Sequence, residues 1–463
     1  MTWDRRTTDQ RAKQQETAVR TQVVDAVGPF SPWWRGRLKD LGRTATSVAT
    51  LQGVRSLPAA GERDVCPDGD PAGAAALVLQ AGESGFALHA EGPTLRKALA
   101  ARLARPGSYR AVVEADTRPT SFVWAGLAMR FPVASTRRDL DVVARAGARA
   151  WAVLGLTGAD VLVSALPLLP TAASQGLQLA ALGAGAPALQ PGDDPDEVAA
   201  ALRLVPATVL AVPAADAETV LDDLDEAGAP LGSLTTLLLV GAPSDDERAA
   251  AEAALRRVGA ASAKALAVHV PDGHRLLWAE CREGGAAAGL HTYPDLELVD
   301  GVDPDSGEGT ATAGCEVVVT QLGMRGSALL RWRTGDVAAS LTDAACPSCG
   351  RTVPRVVGTR RRALVPVLAL RKGTQAVDLR AVAGALVGSP EVADWRVVVA
   401  PSTRDGADEL LVHVAPAAGT DEADVAVAVA RDVRAAAGLL PTQVVVDPVM
   451  PTGAALTSRV LLG

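Results

Sequence analysis

Cys346 and Cys349 flank a Pro-Ser tip in the run CPSCGR, and a Cys-x-x-Cys knuckle of that kind can turn two thiolates toward one ion. A tetrahedral site needs two further ligands. Cys281 and His291, ten residues apart in AECREGGAAAGLHTYPD, are the best candidates, because a thiolate and an imidazole on one loop can reach a shared ion. Cys315 competes for a place, but it precedes the strand-like EVVVTQL, which suits a core thiol. The spacing also serves a redox pair, although no thioredoxin-like pattern surrounds it. A plain pair of free thiols is the third reading. The set Cys281, His291, Cys346 and Cys349 predicts a closed structural zinc site, which braces a fold rather than catalysing. Ten residues before the knuckle, RWRTGD reads as a tight turn that suggests a nucleotide, and Gly-Asp turn chemistry alone also accounts for it.

The elements that must position these residues belong to a chain of 463 residues, long enough for two to four domains. Five cysteines, an odd number in a long chain, argue against a disulfide framework and for a reducing compartment, hence the cytoplasm. The net charge of −8 gives no support for a nucleic-acid partner. The polar start MTWDRRTTDQRAKQQETAVR lacks the apolar core of a signal peptide. The longest apolar run, from Ala159 to Gln190, is broken by Pro and Gly, so no membrane span is expected.

Residues 8–42 read as helical with a turn at GPFSPWW, whose Trp33 and Trp34 pack this lead segment onto the body. Residues 62–75 read as loop, with Cys66 a loop thiol. From 138 to 300 helix and strand patterns alternate: ADVLVSAL as a short buried strand, ATVLAVP and LTTLLLVGAP as further strands, DPDEVAAALRLV as a capped amphipathic helix and DDERAAAEAALRRVGA as another helix. That alternation predicts an α/β fold, a mostly parallel sheet with helices on both faces. Residues 300–357 turn β-rich. The last hundred residues read as a separate α+β unit in which DWRVVVAP and ELLVHVAP pair as strands across STRDGAD.

The run from about 281 to 360 resembles the phenylacetate-CoA ligase family of adenylate-forming enzymes. The stretches that carry the resemblance are AEC…GLHTYPDLELVDGVDPDSGE, VVVTQLGMRGSALLRWRTGD and CPSCGR, in the family's order and spacing. It implies a large N-terminal adenylate-forming domain over residues 1–357, with lead helices to 120, a doubly wound α/β core over 121–300 and a β-rich part with the knuckle over 301–357. A small α+β lid over 358–463 follows. Such enzymes activate a carboxylic acid with Mg·ATP and pass the acyl group to coenzyme A. The resemblance makes Asp336 the ribose-gripping acid, with Arg333 and Thr334 as its neighbours.

Other motif positions depart from the family. The phosphate loop falls at SFVWAGLAMRFPVAST, where Gly126 is the one retained glycine and Arg130 stands where a Lys is expected. Leu127, Ala128 and Met129 cannot bond phosphate oxygens, and the segment reads as packed apolar strand or helix. In AVHVPDGHRLLWAEC, His269 takes the family's Tyr place and Gly273 its magnesium-side Glu place, with Asp272 adjacent. His269 and His274 read as surface or packing residues, since no partner acid is placed for them. The hinge becomes GTRRR, and Lys372 is the last Lys in the chain, so PTGAALTSRV lacks the lid lysine. The expected function is a catalytically degenerate relative of the ligases acting as a scaffold or regulatory partner of an active paralogue or a thioester-handling enzyme, with a homodimer plausible. The alternative is an active acyl- or aryl-CoA ligase using ATP, Mg²⁺ and CoA, with Arg130, Asp272 and Arg459 as substitutes.

Overall fold

A computed structural model describes residues 3–66, 71–80, 92–104, 114, 117–126, 131–304, 306–310, 313–361, 367–370, 373–377, 379–401, 408–446 and 460–462. The chain divides after Arg360 into a large and a small compact unit.

In the large unit the lead segment is a helix over Thr8–Gln22, a π-turn over Val23–Val27, and a second helix over Pro32–Asp40 capped by Ser31. Trp34 is buried and its indole N–H donates to Ala328 O at 2.9 Å, while Trp33 packs edge-on against it. These helices share a core with Leu298, Leu322 and Leu330 of the β-rich part. The 62–75 region is not plain loop: a short helix covers Glu62–Val65 and a 3-10 turn begins at Pro71. Cys66, expected as a loop thiol, is buried.

The main sheet takes β3 (Leu162–Ser164), β4 (Ala188–Leu189), β5 (Val209–Pro213), β6 (Thr236–Val240), β7 (Lys264–His269), β8 (Trp278–Glu280), β9 (Leu290–His291), β13 (Ser340–Thr342) and β14 (Arg355–Val357). Their order is β13-β14-β9-β8-β7-β6-β5-β3-β4. From β4 to β7 the pairing is parallel, and from β7 to β13 it is antiparallel. Leu237, Leu238 and Leu239 of β6 are all fully buried, as expected of a strand covered on both faces. The intervening helices start at strong caps: Thr136 with Asp139 for Arg137–Val153, Asp194 for Pro195–Leu204, and Ser244 with Glu247 for Asp245–Arg257. A separate antiparallel hairpin joins β1 (Ser121–Ala125) to β2 (Phe131–Ser135).

The β-rich part is an antiparallel set of β10 (Glu297–Val302), β11 (Cys315–Gln321) and β12 (Trp332–Ala338). The small unit packs helices Leu379–Val387 and Glu422–Ala437 with a sheet in which Val392–Pro401 and Asp408–Pro416 pair antiparallel. Val382, Leu386, Val397, Val412 and Val429 form its core. Among the described residues no helix is long and apolar enough to cross a membrane.

Candidate metal centre and nucleotide-motif residues

Cys281 follows β8, His291 ends β9, and Cys346 and Cys349 sit in the hairpin between β13 and β14. The β9–β14 register sets Arg355 opposite His291, so the knuckle hairpin and the 281–291 loop meet at one end of the sheet. Their closeness is tight enough that a Cβ on Gly284 would lie 2.6 Å from Ser348 Oγ. The four ligand atoms all fall within 4.8 Å of one another. Cys281 Sγ and Cys346 Sγ are 3.9 Å apart, and Cys349 Sγ is 3.3 Å from His291 Nε2. A tetrahedron of about 2.3 Å metal–sulfur bonds has edges of about 3.8 Å, so this set fits a single ion. Cys315 does not join it and is buried on β11.

The electrostatics suit a cation. Burial, followed by Arg351 and Arg355, lowers His291 to about 4, which leaves the imidazole neutral and able to ligate near pH 7. Burial pushes the Cys281 thiol up to about 12, with Cys349 and Cys346 adding to it. At Cys346 burial is outweighed by the Cys349 and Ser348 backbone N–H groups, and the thiol is lowered. A cation among three sulfurs would hold all three as thiolates. The knuckle also anchors the N-terminus: Thr352 N–H donates to Asp4 O at 2.9 Å, and Arg351 Nε is 3.2 Å from Asp4.

The RTGD segment is not a turn. It lies within β12 as an irregularity where the single residue Val317 of β11 faces Thr334, Gly335 and Asp336. Gly335 adopts φ 69°, which its lack of a Cβ permits. Thr334 Oγ1 donates to Val317 O at 2.8 Å and accepts from Asp336 N–H at 3.2 Å. Arg333 is held by Glu316, with Nε 3.0 Å from its carboxylate, and donates to Pro304 O at 2.7 Å. Asp336 is fully buried, and its Oδ2 lies 2.7 Å from His269 Nε2.

Both histidines therefore correct the sequence expectation, being buried and each having an acid. His274 Nε2 is 2.5 Å from Glu297 Oε2, and that carboxylate also accepts from Trp278 Nε1 and from Tyr293 N–H. Gln321 ties His274 to Arg275, whose guanidinium reaches Asp139 at 3.3 Å. Asp139 in turn accepts from the N–H groups of Arg325 and Gly326, both at 2.7 Å. Sequence reasoning missed this buried network. The only local hint was Asp139 in the capping position of STRRDL.

Gly126 directly follows β1, and its N–H donates to Asp272 Oδ1 at 2.9 Å. Gly273, which the resemblance sets at the magnesium-side acid's position, has φ 69°, and a Cβ there would lie 2.5 Å from Trp332 Nε1. The Trp332 indole packs directly against the Gly273 Cα. Leu127, Ala128, Met129 and Arg130 lie outside the described residues, as do Arg362, Lys372 and the run from Pro451 to Arg459.

No protein-family model matches the chain. No curated protein matches it. Solved structures do. 2-Hydroxyisobutyryl-CoA ligase in the postadenylation state in complex with 2-HIB-AMP matches with a TM-score of 0.64 at 16% identity, over 100% of this chain and 91% of that one. The same ligase with 2-HIB-AMP and CoA in the thioesterification state gives 0.61 at 16%, over 99% and 91%. The amide bond synthetase McbA from Marinactinospora thermotolerans gives 0.45 at 17%, over 73% and 66%. The chain has the mixed α/β fold of the adenylate-forming ligases over nearly its whole length.

Proposed function

We propose that this protein is an adenylate-forming fold that no longer forms adenylates, and that it acts as a binding or regulatory partner of an active paralogue or a thioester-handling enzyme. The observation that carries the reading is the burial of Asp336 against His269 at 2.7 Å. A carboxylate that must grip ribose hydroxyls has to face the nucleotide, and this one faces an imidazole. The adjoining positions agree. The magnesium-side place at Gly273 is occupied by Trp332, Asp272 is bound to Gly126 N–H, and no Lys follows Lys372. Each missing electrostatic donor costs about 10²–10³ in rate, and donors that act as a unit are not replaced singly. We infer also that Cys281, His291, Cys346 and Cys349 hold zinc, because three thiolates and one neutral imidazole within 4.8 Å suit a closed tetrahedral site. That metal would brace the join between the two hairpins and take no part in turnover.

Titration calorimetry with Mg·ATP up to millimolar concentration tests the reading. No binding heat that adenosine competes away is expected from folded, metal-loaded protein, and saturable, adenosine-competed binding would overturn it. The second reading, an active ATP-dependent acyl- or aryl-CoA ligase, is favoured by the full-length likeness to a ligase captured with its acyl-adenylate and CoA. Acid-dependent pyrophosphate exchange across a panel of aliphatic and aromatic carboxylic acids decides for it.

A further inference from the structure

A cavity of about 370 Å³ in the large unit is lined by Arg55, Asp300, Arg331, Thr342, Asp343 and Arg355, among others. Asp336, His269 and Asp272 are not among its lining residues. Arg55 ends the helix Leu51–Arg55, Asp300 lies on β10, Arg331 directly precedes β12, and the β13–β14 hairpin supplies the rest. Three guanidinium groups face two carboxylates here. Asp300 is shared: its Oδ1 is 2.9 Å from Arg55 Nε, and its Oδ2 is 4.0 Å from Arg331. Arg355 donates only to main-chain carbonyls, those of Ala288 and Ala344, and has no carboxylate within 4.0 Å among the described residues. Arg331 is 3% exposed and Arg355 6%, and the Nε of each is buried with no hydrogen-bond partner among the described residues.

Arg331 also adopts φ 45°, the one positive value at a non-glycine residue among those described. Such a conformation costs about 1–3 kcal/mol and recurs at ligand clamps. A buried guanidinium short of partners adds to that cost, and an oxyanion offsets it through charge-assisted, bidentate hydrogen bonds. Two under-partnered guanidiniums match a dianion better than a single carboxylate. A bare oxyanion would leave much of the space empty, and the volume is that of a small-molecule pocket.

We propose that this cavity binds a small metabolite through a phosphoryl group seated against Arg331 and its neighbouring arginines. The site is independent of whether the chain turns over ATP. The test is titration calorimetry of the full-length, metal-loaded protein with inorganic phosphate and pyrophosphate at fixed ionic strength, with acetate as the monoanion comparison. Binding of phosphate or pyrophosphate but not of acetate is expected. Asp300→Asn removes the competing carboxylate and should tighten binding by about threefold to tenfold, while Arg331→Gln should weaken it by about tenfold or more. Should Arg331→Gln fail to fold, Arg55→Gln, whose side chain is 46% exposed, replaces it with the same expected direction. Absence of heat with either phosphate, equal binding of acetate, or affinities unmoved by these substitutions would each overturn the proposal.

Discussion

Gly273→Ala puts the close packing of Trp332 on Gly273, and with it the proposed loss of a magnesium-side acid there, under direct test. The added Cβ would sit 2.5 Å from Trp332 Nε1, 3.0 Å from Cδ1 and 3.1 Å from Cε2. The indole has nowhere to swing, since Trp332 is 1% exposed and packs edge-on against Phe131 at 5.7 Å. An L residue at φ 69° costs about 1–2 kcal/mol, and forcing extra volume into a packed core costs about 1–3 kcal/mol. Together these predict a loss of about 2–5 kcal/mol. Gly232→Ala is the control, because nothing lies within 4 Å of its added Cβ and its φ is not positive. Urea unfolding followed by tryptophan fluorescence measures both. A Gly273→Ala midpoint equal to that of Gly232→Ala would refute the filled-site geometry. So would a stable Gly273→Glu variant that gains Mg·ATP binding.

The metal centre predicts about one zinc per purified chain, falling far below that in Cys281→Ser, as read by elemental analysis. A thiol reagent should find all five cysteines slow in the metal-loaded protein, and a chelator should make up to three of them react. Arg275→Met leaves the Asp139 carboxylate buried without its cation, and should cost about 3–5 kcal/mol by urea unfolding. The double variant Arg275→Met/Asp139→Asn should cost less than the sum of the two singles. Burial raises the Cys315 thiol above its ordinary 9.0, so the unfolded chain ionises there first. Stability contributed by the neutral thiol is complete below pH 9 and is lost as pH rises through the higher folded value. Cys315→Ser should therefore flatten the alkaline limb of a stability–pH curve, and an unchanged limb would count against it.

The α/β alternation was legible because each strand is a short apolar run and helices such as Pro195–Leu204 and Asp245–Arg257 open at a capping residue, Asp194 or Ser244. The metal cluster was legible because Cys and His are scarce and their local spacing is short. What escaped the sequence is pairing across distance. His269 and Asp336 are 67 residues apart, and Gly126 and Asp272 are 146 apart. No periodicity announces such contacts, which explains why His269 and His274 read as lacking acids. RTGD read as a turn because Gly-Asp favours turns, yet pairing with β11 kept the segment within a strand and turned its extra residues into a bulge. Cys66 read as a loop thiol because Pro, Gly and Asp cluster around it, and that composition says nothing about what packs over a loop.

The pairing itself bears on the proposed loss of adenylation. In an enzyme that binds nucleotide, the carboxylates that hold ribose and magnesium need open lone pairs, and water satisfies them until the ligand arrives. A buried carboxylate without such a partner costs several kcal/mol. Once nucleotide binding is no longer required, substitutions that give those carboxylates a protein partner, or fill their place with apolar volume, gain that energy without penalty. His269 against Asp336, the Gly126 N–H against Asp272, and Trp332 over Gly273 are contacts of that kind at the positions the resemblance picks out. On the proposed reading, a Glu returned at position 273 also requires removing the Trp332 indole, and reopening Asp336 also requires replacing His269, so no single substitution is expected to yield adenylation.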